Sequence, residues 1–417
     1  MKQKKIHYAW IILISCCIVN VIAQGMMLGT VGVYMTPIAQ SLGIGQTKVS
    51  MIMTVEMLGM AIAMPIIGGI MKKKSLKVLV TISVLVSAAG LTIVSFVQSI
   101  NLMYVVWFVI GAATSIMLLL SVPIGNWFVD KLGLATGISV AVSSAGAAIF
   151  NPIVSTMVNT LGWRASYRIS AIVMVVILVP IALFALRYAP GEGESAYGAD
   201  RIQQSDEDVM PASGVEDGLT LREASKTSFF YVILVTMAFF GTTATLVQQF
   251  VPHLVSKGFQ PTVAAMVLSC AMISSAAGKL VLGPLLDGKH RNLFIGLFAA
   301  LAVVGWLIVA QAPGVPVTLA GGLIAGLGQS VGLVAAPYMS RRAFGGKEVG
   351  KISGIVGVLS TICPAIGIVV SASVFDRMGS FVSVFSFVAV MILILAVLLV
   401  FGFNRFIKRR IEAGNET

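Results

Sequence analysis

The chain has 417 residues, of which 58% are apolar and only 11% charged, with a mean hydropathy of +0.98. So few charges could not cover a water-soluble domain of this length, so lipid must be the solvent for most of the surface. The net charge of +12 is spread as short clusters between long apolar runs, a pattern that excludes nucleic-acid binding and encodes membrane topology.

Crossing about 30 Å of hydrocarbon takes ~20 mainly apolar residues. In chain order, runs of that kind occupy about 9–35, 49–71, 77–98, 102–126, 133–160, 167–188, 229–255, 262–286, 292–311, 316–340, 350–374 and 382–404. All are predicted as helices, because lipid cannot satisfy an open strand edge. The first run is too long for a signal peptide and shows no convincing cleavage site, so it stays as the first span. The expected fold class is an all-α membrane protein with twelve spans in two six-helix bundles, residues 1–188 and 229–417. The four cysteines, Cys16, Cys17, Cys270 and Cys363, lie inside apolar runs without metal-ligand spacing. They read as packing residues, and neither a metal nor a cofactor is expected.

Lys and Arg divide unevenly between the two sides. Twenty-two fall on the side of both termini, and five (Lys48, Arg164, Arg168, Lys257, Arg377) on the other. The positive-inside rule then places both termini in the cytoplasm of a multi-pass plasma-membrane protein, expected to be a monomer. Residues 189–228 carry nine of the sixteen acids and few large apolar side chains. Such a segment reads as a flexible cytoplasmic linker. Within it, Leu219–Ala224 is predicted to form a short surface helix.

The two halves repeat each other. Phe128-x2-Lys131-x-Gly133-x3-Gly137 returns as Phe344-x2-Lys347-x2-Gly350-x3-Gly354. The 25-residue step from Gly137 to Gly162 returns between Gly354 and Gly379, and Gly68-x-Ile70 returns as Gly283-x-Leu285. Six plus six with parallel repeats is an architecture that alternates access by rocking one half against the other.

Over its whole length the chain resembles the major facilitator superfamily, and within it the monocarboxylate-transporter and oxalate:formate-antiporter branches. The resemblance rests on Trp127-Phe128-x2-Lys131-x-Gly133-Leu134-Ala135-x-Gly137, Gly162-Trp163-Arg164-x2-Tyr167 and Leu219-Thr220-Leu221-Arg222-Glu223-Ala224. It continues in Pro252-His253, Gly258, Ala264-Ala265-x2-Leu268-Ser269 and Gly278-Lys279-Leu280-x2-Gly283-x-Leu285-x-Asp287. The superfamily's loop motif after the second span, Gly-x-Leu-x-Asp-Arg, keeps Gly68 but has Lys72 in place of its Asp, whereas the second-half copy keeps Gly283 and Asp287. These four residues are the candidate conformational latch.

Two ionisable residues lie deep in spans, Glu56 and Lys279. A charge there costs ~2.5–3.5 kcal/mol even on insertion scales, so it normally faces a pathway or a partner. Lys279 can be an anion-binding cation, a structural pair or a snorkelling side chain, and the resemblance implies the first, because the family's substrate-binding Arg falls at this position. Glu56 can be a proton-coupling carboxylate or a buried structural acid. The resemblance also implies departures: Gly29, Ser275 and Gly357 stand where relatives place charges, and Met117 where several have Tyr. One cation balances one anionic group, so a monoanion fits better than a dianion.

Uncharged polar residues complete the candidate cavity: Asn20 and Gln24 in the first span, Asn151 in the fifth, Gln248, Gln249 and His253 in the seventh, and Gln329 and Tyr338 in the tenth. Residues of this kind serve more often as interhelical hydrogen bonds than as ligands. The functional expectation is therefore secondary transport of a small organic anion, a monocarboxylate, with or without protons. The alternative is transport of larger amphipathic compounds on the same fold. Enzymatic activity is not expected, since no nucleophile–base or metal set occurs.

Overall fold

The computed structural model describes residues 7–71, 75–118, 120–128, 132–191, 194–198, 219–286, 290–344 and 349–415. Among these residues the chain is helical, with no β-strand beyond one isolated bridge between Phe128 and Tyr197. It divides into two compact units, Met1–Val209 and Met210–Thr417.

The first unit runs α1 (Tyr8–Val19), a π-helical segment (Asn20–Leu28), α2 (Val31–Leu42), α3 (Gln46–Met71), α4 (Leu76–Phe96), α5 (Ile100–Leu118), α6 (Ser121–Trp127), α7 (Leu132–Leu161) and α8 (Trp163–Phe184). The second runs α9 (Leu221–Ala224), α10 (Ser228–Leu246), a 3₁₀ turn (Val247–Gln249), α11 (Phe250–Ser256), α12 (Pro261–Leu286) and α13 (Arg291–Gln311). It continues through α14 (Val315–Ser330), a second π-helical segment (Val331–Ala335), α15 (Ala336–Phe344), α16 (Val349–Met378) and α17 (Val382–Asn415). Ten stretches among the described residues are long and apolar enough to cross a membrane. Val315–Ser330, prolonged by the π segment and α15, and Val349–Met378 occupy the positions expected for the tenth and eleventh spans.

Side chains such as Phe184, Phe401, Phe96 and Leu293 stand two-thirds or more exposed on the helix exteriors. Water would penalise them, while acyl chains would not. Inside each unit the same pairings recur. In the first, α3 packs on α5, α4 on α8 and the π segment on α7. In the second, α12 packs on α14, α13 on α17 and α10 on α16.

The glycine spacing has a conformational counterpart. α7 and α16 each run 30 residues and each is followed by a glycine in the left-handed region, Gly162 at φ +82 and Gly379 at φ +67. A side chain at either position would be strained, whereas glycine turns the chain there without cost.

Two expectations differ from the structure. The sixth span starts at Trp163, four residues earlier than predicted. The Arg164 guanidinium lies 4.2 Å over the Trp163 ring and that of Arg168 lies 5.5 Å over Phe96. These cation–π contacts let two bases sit in the first helical turns. The linker, expected to be flexible apart from the short helix at 219–224, is anchored at both described ends. Tyr197 packs against His7, Trp10 and Phe128, and its amide donates to the Trp127 carbonyl at 2.8 Å. At the far end, Leu219 N–H donates to the Phe344 carbonyl at 2.8 Å. The predicted short helix forms as α9, closed by a capping box between Thr220 and Glu223, and buries Ala224.

Candidate substrate site

The candidate residues divide between the two units. In the second unit, α12 and α14 are held close by glycines: a Cβ at Gly326 would collide with the Ala271 carbonyl and Ser274 Oγ, and one at Gly322 with the Val267 carbonyl. At this crossing Ser275 Oγ donates to Gln329 Oε1 at 2.9 Å. Gln329 is buried, and its Nε2 has no hydrogen bond. Lys279 lies half-buried one turn beyond Ser275, on the same face of α12. Immediately after Gln329 the helix widens into the Val331–Ala335 π segment. Insertions of this kind concentrate at functional sites. The α12–α14 crossing thus holds a buried amide donor without an acceptor, with a lysine one turn further along α12.

Tyr338, on α15, accepts a 2.9 Å hydrogen bond from the Arg342 guanidinium. Arg342 lies beyond the predicted run 316–340; helical continuation through α15 is what makes it the i+4 partner of Tyr338. Gln248 is buried in the 3₁₀ turn that interrupts the seventh span. His253 takes the interhelical role, with Nε2 3.1 Å from the Ala310 carbonyl and its ring against Phe385.

In the first unit, the π-helical segment carries Asn20 and Gln24. Asn20 Nδ2 donates to Ser139 Oγ at 2.8 Å, and Gln24 Nε2 to Asn20 Oδ1 at 3.2 Å, forming a polar chain from the first span to α7. Gly25 and Gly146 permit this approach, since a Cβ on either would strike the other helix's backbone. Asn151 on α7 is fully buried, with neither amide atom hydrogen-bonded. Such a group costs about 1–3 kcal/mol unless something else satisfies it. Met117 is buried in the last turn of α5, beside the break before α6.

Glu56 sits where α3 and α5 touch: a Cβ at Gly111 would collide with the Glu56 carbonyl. Its carboxyl is buried, and Oε1 accepts no hydrogen bond. Near it stands an aromatic group that no sequence pattern marks. Tyr167, within electrostatic range of Glu56, stacks on Tyr34 at 4.1 Å, and Trp107 meets Tyr167 edge-on at 6.1 Å. Tyr34 Oη lies 2.8 Å from Ser166 Oγ. No periodicity could have assembled residues from four spans. Of the candidate latch, Gly68 and Gly283 each lie three residues before the end of their helix, α3 and α12. Lys72 and Asp287 lie outside the described residues.

These features define a polytopic helical membrane protein with an internally repeated pairing of spans and buried polar groups in each unit. The sequence pattern of the Major Facilitator Superfamily matches residues 17–287 and 233–416, and the chain belongs to that family of transporters. The oxalate:formate antiporter of Oxalobacter formigenes is 26% identical over 160 residues, 38% of this chain and 38% of that protein. An uncharacterized MFS-type transporter of Bacillus subtilis is 21% identical over 160 residues, 38% of this chain and 39% of that one. The chain thus matches just under two fifths of the length of these curated relatives. Among solved structures, the nucleoside transporter NupG superposes with a TM-score of 0.71 at 15% identity, covering 96% of this chain and 100% of that one. A bacterial homologue of the human lysosomal transporter Spinster, inward-facing and unoccupied, gives 0.71 at 13%, covering 96% and 98%. At such identities the likeness shows the fold alone.

Proposed function

We propose that this transporter carries a small organic anion, with a monocarboxylate as the favoured class, by rocking of residues 1–188 against 229–417 with both termini in the cytoplasm of the plasma membrane. The observation that carries the reading is the Gln329 amide: held by Ser275, buried, and with a donor left over, one turn from the level of Lys279. A cation one turn from the residue that holds a spare N–H donor suits a carboxylate, whose oxygens can accept from both. The similarity to an oxalate:formate antiporter supports an anion and exchange as the transport mode. A single Lys provides a point charge where a dianion would want two. Glu56 is assigned the proton-coupling role, as a buried carboxyl with an unsatisfied oxygen.

Counterflow tests the proposal. Proteoliposomes loaded with unlabelled formate, acetate, lactate or oxalate are diluted into the labelled solute. Transient accumulation with a monocarboxylate is expected. Exchange confined to neutral or cationic solutes, with none for any carboxylate, would overturn the assignment.

A further inference from the structure

A cavity of about 710 Å³ opens at the basic end of the second unit, between the start of α10 and the distal part of α17. It lies apart from Lys279 and Gln329. Its described lining holds two cations, Lys226 and Arg405, and no acid. Glu223, a near neighbour in the chain, is committed to the capping box of α9. The floor is aromatic: Phe229 and Phe406 stack with ring centres 5.7 Å apart, and Phe229 also meets Phe403 at 5.8 Å. Gly402 admits this floor, since a Cβ there would lie 3.0 Å from the Phe229 ring.

The first turn of α10 borders the same space through Thr227 and Ser228. Thr227, its N-cap residue, spends its hydroxyl on the Ala224 carbonyl at 2.7 Å and makes no side-chain bond to the first-turn amides. Uncapped amides and the helix dipole add positive potential beside the two cations.

Depth and the neighbouring surface select the ligand. Arg405 lies 23 residues beyond Val382, the start of α17, which is ~35 Å at 1.5 Å per residue. Hydrocarbon is about 30 Å thick, so the cavity falls at headgroup level. From it, two apolar tracks run toward the bilayer interior on the same helix faces: Tyr231 and Val235 on α10, and Leu398 and Phe401 on α17, all exposed. A free anion would gain nothing from the aromatic floor or the tracks, whereas a lipid would use both.

We propose that this cavity binds the headgroup of an anionic phospholipid. Lys226, Arg405 and the α10 amides take the phosphate, while the acyl chains lie along Tyr231 and Phe401.

The test follows thermal unfolding of the purified full-length protein in detergent during titration with phosphatidylglycerol, with phosphatidylcholine of the same chains, or with inorganic phosphate. Phosphatidylglycerol is expected to raise Tm saturably and the other two to leave it unchanged. The double variant Lys226→Gln/Arg405→Gln should need at least about tenfold more phosphatidylglycerol for the same shift, the loss of one strong contact. Val232→Trp fills the cavity but keeps both charges, and it should weaken the response likewise; it decides the matter alone if the double variant is not monodisperse. The proposal is overturned if phosphatidylcholine matches phosphatidylglycerol, if phosphate alone saturates the shift, or if monodisperse variants respond like wild type. Transport is not read, so failure here leaves the carrier reading untouched.

Discussion

Ser275 and Gln329 join α12 to α14 through a single 2.9 Å hydrogen bond, with the serine hydroxyl donating to the amide oxygen. The partner nitrogen is left buried without an acceptor, just before the helix widens. An acceptor brought by substrate would satisfy it.

Removing that donor should therefore weaken binding without unfolding the protein. Gln329→Leu is expected to lose about ten- to hundredfold in affinity, the scale of one hydrogen bond to a charged group. Gln329→Glu keeps the shape and places a carboxylate beside the anion, so its loss should be larger. Isothermal titration with the anion identified by counterflow reads both. Equal affinity in the Glu variant and wild type would remove Gln329 from the site.

Lys279 supplies the charge in this reading, and its half-buried position sets the scale. A charge-assisted hydrogen bond contributes ~1.5–3 kcal/mol, or about ten- to hundredfold in affinity. Lys279→Gln should lose that much for an anionic substrate while still inserting and remaining monodisperse. Lys279→Arg should recover part of it, because charge survives while shape changes. Wild-type binding by the Gln variant would end the case for an anionic substrate at this residue.

A substitution at Glu56 tests coupling against exchange. Glu56→Gln retains shape and hydrogen-bonding capacity while fixing the group neutral. If the carboxyl carries the proton, accumulation driven by a pH gradient is abolished and counterflow at symmetric pH persists. Undiminished accumulation by a monodisperse Gln variant would make Glu56 a structural acid at the α3–α5 contact.

Much of the fold was readable because the bilayer imposes a simple code. The 25-residue glycine steps became left-handed turns at Gly162 and Gly379, since only glycine tolerates that backbone after so long a helix. The π segments were not readable. No local propensity encodes them, and the close approach that accompanies the first, between Gly25 and Gly146, needs the fold. Arg342 and Arg164 fall outside the predicted spans, because charge normally marks a span's end. In the structure Tyr338 and the Trp163 ring accommodate them within helices. At the candidate site, residue types were visible in the sequence, but the pairing of Ser275 with Gln329 spans 54 positions and needed the fold.

Orientation rests on the twenty-two to five division of basic residues. Reporter domains fused after Arg410 and inserted within 195–215 should both read cytoplasmic. A periplasmic or extracellular signal from either would contradict the positive-inside assignment.

The linker's first anchor makes the last prediction. Arg187 pairs with Glu194 at 3.0 Å and lies 4.6 Å over the Tyr8 ring, while its carbonyl accepts from Trp127 Nε1 at 3.2 Å. Beyond it, Tyr197 closes the arrangement with its ring against His7, Trp10 and Phe128 and its amide on the Trp127 carbonyl. The exposed ion pair contributes little, so the aromatic contacts should dominate. Each such contact is worth ~0.5–1.5 kcal/mol, and together they should hold the segment closed by at least ~1–2 kcal/mol. Tyr197→Ala is therefore expected to raise hydrogen exchange across 194–198 by about tenfold or more, with little change in the spans. Tyr197→Phe should stay protected, because the ring and the amide make the contacts. Glu194→Gln, which removes the ion pair and leaves one oxygen for the Gly191 amide, should change exchange far less than Tyr197→Ala. If instead the Glu194 variant opens the segment and the Ala variant does not, the anchor is electrostatic and the aromatic account fails.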